Sequence, residues 1–210
     1  EGMLDRPALS TRYLISTTGW RDLGERMRAI LSRYHETYPL RRGMSREALR
    51  SQLQTRRAGL GGRLFNEIVA RARREGMIQD DQTSVWLAGH QVVFSTEQQQ
   101  RIDALLAEFR DAPYMTPSVS ESVTRLGQAL FDALVEQGVL VQLGPDVVYL
   151  AKTVEEVRDK VTDYIDAQGS ITIAEARDMM QASRKYAVAL MEYLDDQRVT
   201  KRVGDERVLY

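Results

Sequence analysis

Cysteine is absent from the 210 residues. That excludes disulfides, thiol nucleophiles and zinc sites built on thiolates. Only two histidines occur, His35 and His90, far apart in the sequence. His35 sits beside Tyr34 in a helical stretch and reads as a surface or boundary residue. His90 falls in a linker. Proline and glycine are sparse, which argues against long disordered stretches. No apolar run reaches the roughly 20 residues of a membrane helix. Met3-Leu4 is followed at once by Asp5 and Arg6, so no signal peptide is expected. No phosphate loop is present either: Gly59-Leu60-Gly61-Gly62 lacks the Lys-Ser/Thr that must follow and reads as a flexible lead-in to a helix. The acid pairs Asp80-Asp81, Glu155-Glu156 and Asp195-Asp196 fall at turns or helix ends, where solvated charge is the plain reading. The expectation is a cytoplasmic protein that is no enzyme and holds no metal.

What is present is an ordinary globular balance, 43% hydrophobic and 28% charged residues. The net charge of -1 is unevenly spread. Residues 18–92 hold 14 basic against 8 acidic side chains, residues 93–150 hold 3 against 8, and residues 151–210 hold 10 against 12. A polyanion partner would have to be met by a local cluster, not by the total.

An internal repeat organises the chain. Glu75-Gly76-Met77-Ile78, Gln137-Gly138-Val139-Leu140 and Gln197-Arg198-Val199-Thr200 each close a helix and open a hairpin, at steps of 62 and 60 residues. Second strands follow at Ser84–Leu87, Val147–Leu150 and Arg207–Tyr210. The helix before each hairpin carries one apolar stripe: Leu64, Ile68 and Ala72; Leu126, Leu130 and Leu134; Ala187, Leu190, Met191 and Leu194. Opening helices are expected over 20–36, 96–110 and 153–167. Thr96-x-x-Gln99 and Thr153-x-x-Glu156 are candidate capping boxes for the last two. Short middle helices are expected over 45–53, from about residue 120, and over 172–179, the last with the capping box Thr172-x-x-Glu175. Helix, short helix, helix and hairpin in about 60 residues is the winged-helix pattern. The fold expected is thus mainly α with small β-hairpin wings, tandem winged helices in an elongated array. Its modules span 18–93, 94–151 and 152–210, with linkers near 92–95 and 151–152. Residues 1–17 read as the tail of a preceding winged helix, with Arg12 to Ser16 as its closing strand.

One cluster stands out: Ser183-Arg184-Lys185-Tyr186 with Thr200-Lys201-Arg202-Val203-Gly204-Asp205-Glu206-Arg207. Ser183 is placed to cap the third helix of the last module. Arg184 and Lys185 then lie in its first turn, which faces nucleic acid in helix-turn-helix modules, beside free backbone amides. Lys201, Arg202 and Arg207 belong to the wing. Tyr186 could stack on a base, although it borders the apolar stripe. Against this stands a plainer reading: residues 183–210 hold six bases and five acids, and Arg198 or Arg202 could simply pair with Asp195 or Asp196. From the residues alone, three partners stay open: an RNA hairpin, duplex DNA read by a regulator, or another protein on a scaffold.

The same residues carry a likeness. Ser183 to Ala187, Leu190 to Asp195 and Val199 to Leu209 closely resemble the terminal winged helix of bacterial selenocysteine-specific elongation factors (SelB). Tyr34-His35-x-x-Tyr38-Pro39-Leu40-Arg41-x-Gly43-Met44-x-Arg46-Glu47-x-Leu49-Arg50 resembles the second winged helix of that region, and Glu136 to Val141 suits the third. The resemblance implies an mRNA-binding fragment that ends in a fourth winged helix and lacks the GTPase portion. GTP would be a ligand of that missing portion only, so no cofactor is expected here. It implies recognition of the selenocysteine insertion (SECIS) hairpin by a monomer, with the ribosome and selenocysteinyl-tRNA engaged through the full-length factor and no membrane. RNA contacts would fall on Ser183, Arg184, Lys185 and Tyr186 at the helix start. On the wing they would fall on Lys201, Arg202, Val203, Gly204 and Arg207. Lys201 stands where arginine is common in the family, a change that alters bidentate contacts. Arg41, Arg42, Arg56 and Arg57 of the basic first module are candidates for ribosomal RNA or tRNA.

Overall fold

The structure, a computed structural model, describes residues 13–54 and 60–210. Two compact units part between Gln91 and Val92. The first holds one module and the second holds two.

The first unit runs α1 (Thr17–Thr37), β1 (Met44–Ser45), α2 (Arg46–Leu53), α3 (Gly62–Arg74), β2 (Ile78–Asp80) and β3 (Ser84–Leu87). Serines start the helices because their hydroxyls accept amides left free by the first turn: Ser16 accepts from Gly19 and Ser45 from Ala48. The sheet order is β1-β3-β2, so β3 is central. Gly43 lets β1 approach it, since a Cβ at 43 would sit 2.8 Å from the Val85 carbonyl oxygen. Met27, Leu31, Leu49, Phe65, Val69, Ala72, Ile78 and Val85 fill one core between helices and sheet. Tyr13 to Ser16 form no strand. The closing strand expected there has Arg12 outside the described residues.

His35 is not a surface residue. It is 8% exposed, and its ring stacks on His90, with centroids 3.5 Å apart. His35 Nε2 accepts the Leu87 amide at 3.3 Å, and His90 Nε2–H donates to the Arg41 carbonyl at 3.0 Å. The pair ties α1 to the chain leaving β3.

The second unit continues with α4 (Thr96–Asp111), α5 (Val119–Leu126), α6 (Gln128–Glu136), β4 (Leu140–Gln142) and β5 (Val148–Leu150). The last module is α7 (Ala151–Gln168), β6 (Ile171–Thr172), α8 (Ile173–Met180), α9 (Arg184–Asp196), β7 (Thr200–Val203) and β8 (Glu206–Leu209), with sheet order β6-β8-β7. The capping box of α4 is Ser95 with Gln98, one residue earlier than Thr96 with Gln99. α5 has a box of its own, Ser118 with Glu121, and the box of Thr172 with Glu175 opens α8 as expected. Thr153 caps nothing: α7 starts at Ala151 straight from β5, and Thr153 is buried inside it. No linker therefore separates the last two modules at 151–152.

The middle module departs from its neighbours in two places. A single residue, Gly127 at φ 82°, parts α5 from α6. Its sheet also has two strands, not three. Pro117 precedes the cap Ser118, where Met44 and Ile171 pair with the central strand in the other modules. Proline has no amide to donate to a ladder. Instead the buried Thr116 hydroxyl donates to the Val148 carbonyl at 2.7 Å.

The two modules of this unit are locked along one seam. Across it the Tyr186 hydroxyl donates to the Thr116 carbonyl at 2.7 Å; within the middle module the Tyr149 hydroxyl donates to the Tyr114 carbonyl at 3.2 Å. The two tyrosine rings meet edge to face. Val147 and Tyr149 share a core with Val157, Val161, Leu190 and Met191 of the last module.

Candidate nucleic-acid interface

All three modules turn from third helix to wing in the same way. The amides of Gly76, Gly138 and Arg198 bond back to the carbonyls of Arg73, Val135 and Asp195. The next amide, of Met77, Val139 or Val199, returns to Ala72, Leu134 or Leu194. This is the Schellman closure, whose turning residue needs a left-handed backbone. Gly76 and Gly138 adopt it at φ 70° and 71°, and Arg198 at φ 56°. The shared turn and the strand registers allow the modules to be compared residue by residue.

Counted back from that turn, Ser183-Arg184-Lys185 of α9 corresponds to Gly61-Gly62-Arg63 of α3. On the wing, Lys201 and Arg202 correspond to Gln79 and Asp80, and to Val141 and Gln142 in the middle module. Only the last module joins two bases in the first helical turn to two bases on the wing strand. The wing of the first module is acidic and is met by its own arginines: Arg46 and Arg73 reach Asp80, and Arg42 reaches Asp81. Arg42 also covers the Trp86 ring. Arg56 and Arg57 lie outside the described residues.

In the last module Ser183 has the extended backbone of a cap, yet its side chain makes no capping bond. Ser183, Arg184 and Lys185 are exposed, as are Lys201, Arg202, Val203 and Gly204. Arg184 and Lys201 meet no partner among the described residues. Lys185 Nζ lies 2.6 Å from Asp146 Oδ2 in the middle module's wing turn, with both side chains about half exposed. That contact raises the Lys185 ammonium above its ordinary pKa and lowers the Asp146 carboxyl. Arg202 Nε donates to the Gly204 carbonyl at 2.8 Å, and its Nη2 lies 3.8 Å from Asp205 Oδ1 in the wing turn, with both side chains exposed. Gly204 makes the wing turn with φ 64°, a conformation that costs glycine nothing.

Two of the expected contacts face inward. The Tyr186 ring packs on the core, and its hydroxyl is committed to Thr116, so packing claims the ring that stacking on a base would need. The Arg207 side chain is only 5% exposed, and its Nε donates to Asp195 Oδ2 at 2.9 Å. Asp195 thus pairs neither with Arg198 nor with Arg202. Arg198 instead lies over the Tyr210 ring. Sequence reasoning did not foresee Asp146 as a partner of Lys185. It did have a signal for Arg207: once the hairpins are aligned, this residue occupies the position of the fully buried Val85 and Val148.

Among the described residues no group of acids and histidines could hold a metal ion, and no helix is long and apolar enough to cross a membrane. What the surface offers is an exposed basic edge with hydroxyl and amide donors, suited to phosphates and base edges.

Two family models, each described as "Elongation factor SelB, winged helix", match residues 28–87 and 163–209, together half of the chain. They stand for the family's second and third winged helices, so the last module is there the third where the sequence reading counts it fourth. The chain is 26% identical over 183 residues to the selenocysteine-specific elongation factor of Desulfomicrobium baculatum, covering 84% of this chain and 28% of that protein. It is 26% identical over 182 residues to that of Escherichia coli (strain K12), covering 85% and 29%. It therefore spans less than a third of the length of these relatives. Among solved structures, that of bacterial selenocysteine-specific elongation factor EF-Sec matches 93% of this chain and 32% of its own, at 12% identity and a TM-score of 0.50. The mRNA-binding domain of E. coli SelB in complex with SECIS RNA matches 55% of this chain and 98% of its own, at 27% identity and a TM-score of 0.41. Matched toward both ends by SelB winged-helix models, with relatives of one name along most of its length, the chain belongs to the winged-helix portion of the SelB elongation-factor family.

Proposed function

We propose that the chain is the mRNA-binding part of a selenocysteine-specific elongation factor and grips a SECIS-type RNA hairpin through its last module. The observation that carries this reading is the basic edge. Ser183, Arg184 and Lys185 at the start of α9, with Lys201, Arg202, Val203 and Gly204 on the wing, form a surface the other two modules lack. A hairpin suits a short edge of this kind. Duplex RNA hides its base edges in a deep, narrow groove, so sequence is read where loops and bulges splay bases out. Arginines at a helix start and a wing can hold backbone and base together without a large positive field. Steps that need GTP, selenocysteinyl-tRNA or the ribosome would fall to the full-length factor.

The test is fluorescence anisotropy of a labelled SECIS hairpin against the whole chain, across a salt series, with a bulge-deleted hairpin as control. Binding should need the bulge and weaken as salt rises. Arg184→Ala and Arg202→Ala should each cost about 1–3 kcal/mol of binding while leaving the melting temperature unchanged. Affinity indifferent to the bulge, or to both substitutions, would refute the reading.

A further inference from the structure

Three positions under the last wing set it apart from the other two modules. Where α9 ends stands Asp195, the counterpart of Arg73 and Val135. At the first position of β7 stands Thr200, the counterpart of Ile78 and Leu140. On β8 stands Arg207, the counterpart of Val85 and Val148. The other modules fill both strand positions with fully buried aliphatic side chains. The last module puts a polar trio there: Thr200 Oγ1 donates to Asp195 Oδ1 at 2.6 Å, and Arg207 Nε to Asp195 Oδ2 at 2.9 Å. Replacing a buried ion pair with packed aliphatic side chains is often neutral or stabilising, so the trio is weak evidence of a gain in stability.

The first module shows what happens to a wing charge that lacks such cover. There Asp80 holds the position of Arg202; Arg46 of α2 lies 2.6 Å from it and Arg73 at the helix end 3.5 Å from it. Helix end and wing are thus within reach of one another, and the wing charge is neutralised. In the last module the polarity is reversed, with an acid at the helix end and a base on the wing. Arg202 lies directly opposite Arg207 in the strand register, and opposed residues of antiparallel strands share a face. Nevertheless Arg202 remains two-thirds exposed, held only to the Gly204 carbonyl and to the exposed Asp205 at the tip of the wing, while both carboxylate oxygens of Asp195 have other donors.

We propose that Arg207 is a positioning residue for the wing: by occupying Asp195 it keeps that carboxylate from capturing Arg202, and so leaves the Arg202 guanidinium turned outward. This rests on the RNA-binding reading above. It gives Arg207 a role without contact to RNA, and it explains why a charged residue replaces valine only in the module with the basic wing.

The test is the same anisotropy assay on the whole chain. Arg207→Val uncovers Asp195 and should weaken the bulged hairpin as much as Arg202→Ala does, roughly tenfold. In an Arg202→Ala background it should add nothing. Arg207→Lys keeps a cation on Asp195. The triple variant Asp195→Val, Thr200→Leu, Arg207→Val copies the middle module's core and removes the acid altogether. Both should bind within about threefold of the wild type. A tenfold loss in either would mean that the Arg207 guanidinium itself meets RNA, and would overturn the proposal. So would an Arg207→Val variant that binds like the wild type. Should Arg207→Val fail to fold in a circular-dichroism melt, the lysine and triple variants decide alone. Wild-type binding that ignores the bulge sinks the RNA reading and this inference with it. Wild-type binding that needs the bulge, with Arg207→Val unaffected, sinks this inference only.

Discussion

Acid should loosen the first unit through one buried ring. His35 accepts the Leu87 amide on Nε2, so its proton sits on Nδ1, which is buried without a partner. A second proton would break the Leu87 bond and charge a ring packed against His90, with the Tyr34 ring at its edge. Burial first, and the neighbouring His90 second, lower the His35 pKa from 6.5 to about 4. The unfolded chain takes up its proton near 6.5 and the folded chain only near 4. The stability conferred by the neutral ring is therefore complete above pH 6.5 and drains away as pH falls toward 4. At about 1.4 kcal/mol per pH unit, the loss sums to about 3 kcal/mol. Both tryptophans, Trp20 and Trp86, lie in this unit, so urea unfolding followed by tryptophan fluorescence reports on it selectively. Glu75, held below its ordinary pKa by Arg71 and Trp20, adds acid sensitivity only below about pH 4.5. The window from pH 6.5 to 5 thus isolates the histidine. His35→Gln should flatten that window. An unfolding midpoint that shifts with pH as much in His35→Gln as in the wild type would refute the reasoning.

Two further substitutions probe the second unit. Arg198→Gly relieves a side chain held at φ 56° and should stabilise the last module by up to about 1 kcal/mol, read from chemical denaturation followed by tyrosine fluorescence. No gain would mean that the Arg198 contact with Tyr210 offsets the strain. Tyr186→Phe removes the donor to the Thr116 carbonyl and should cost about 1 kcal/mol in the same assay; an unchanged midpoint would show that this bond does not hold the seam.

The module pattern was legible because it rests on short-range signals. Apolar residues at helical spacing and the turn residues Gly76 and Gly138 mark two closures outright, and the third was found by its spacing although Arg198 replaces glycine. Boundaries slipped where two registers fit equally well. Ser95-Thr96 precedes three glutamines, so either hydroxyl could have headed the box, and the backbone chose the first. Thr153 misled because α7 leaves β5 without a turn, and nothing at residue 150 announces a helix start. The exposed half of the basic edge was readable as charge in the right places. Its inward half was not: which way Arg207 points depends on the register of β7, β8 and β6, and on an acid twelve residues away. The stack of His35 on His90 has no periodic signature, since packing alone brings the two rings together.

The incomplete sheet of the middle module bears on synthesis. Thr116 leaves the ribosome 70 residues before Tyr186, the side chain that bonds its carbonyl. Until α9 is made, the outer edge of β5 is guarded by little more than one threonine hydroxyl, and unpaired strand edges invite partners from other chains. A nascent chain stopped between the two residues would hold a finished first module and an unfinished second one. The last two modules would then complete their folding together, only when α9 itself has emerged.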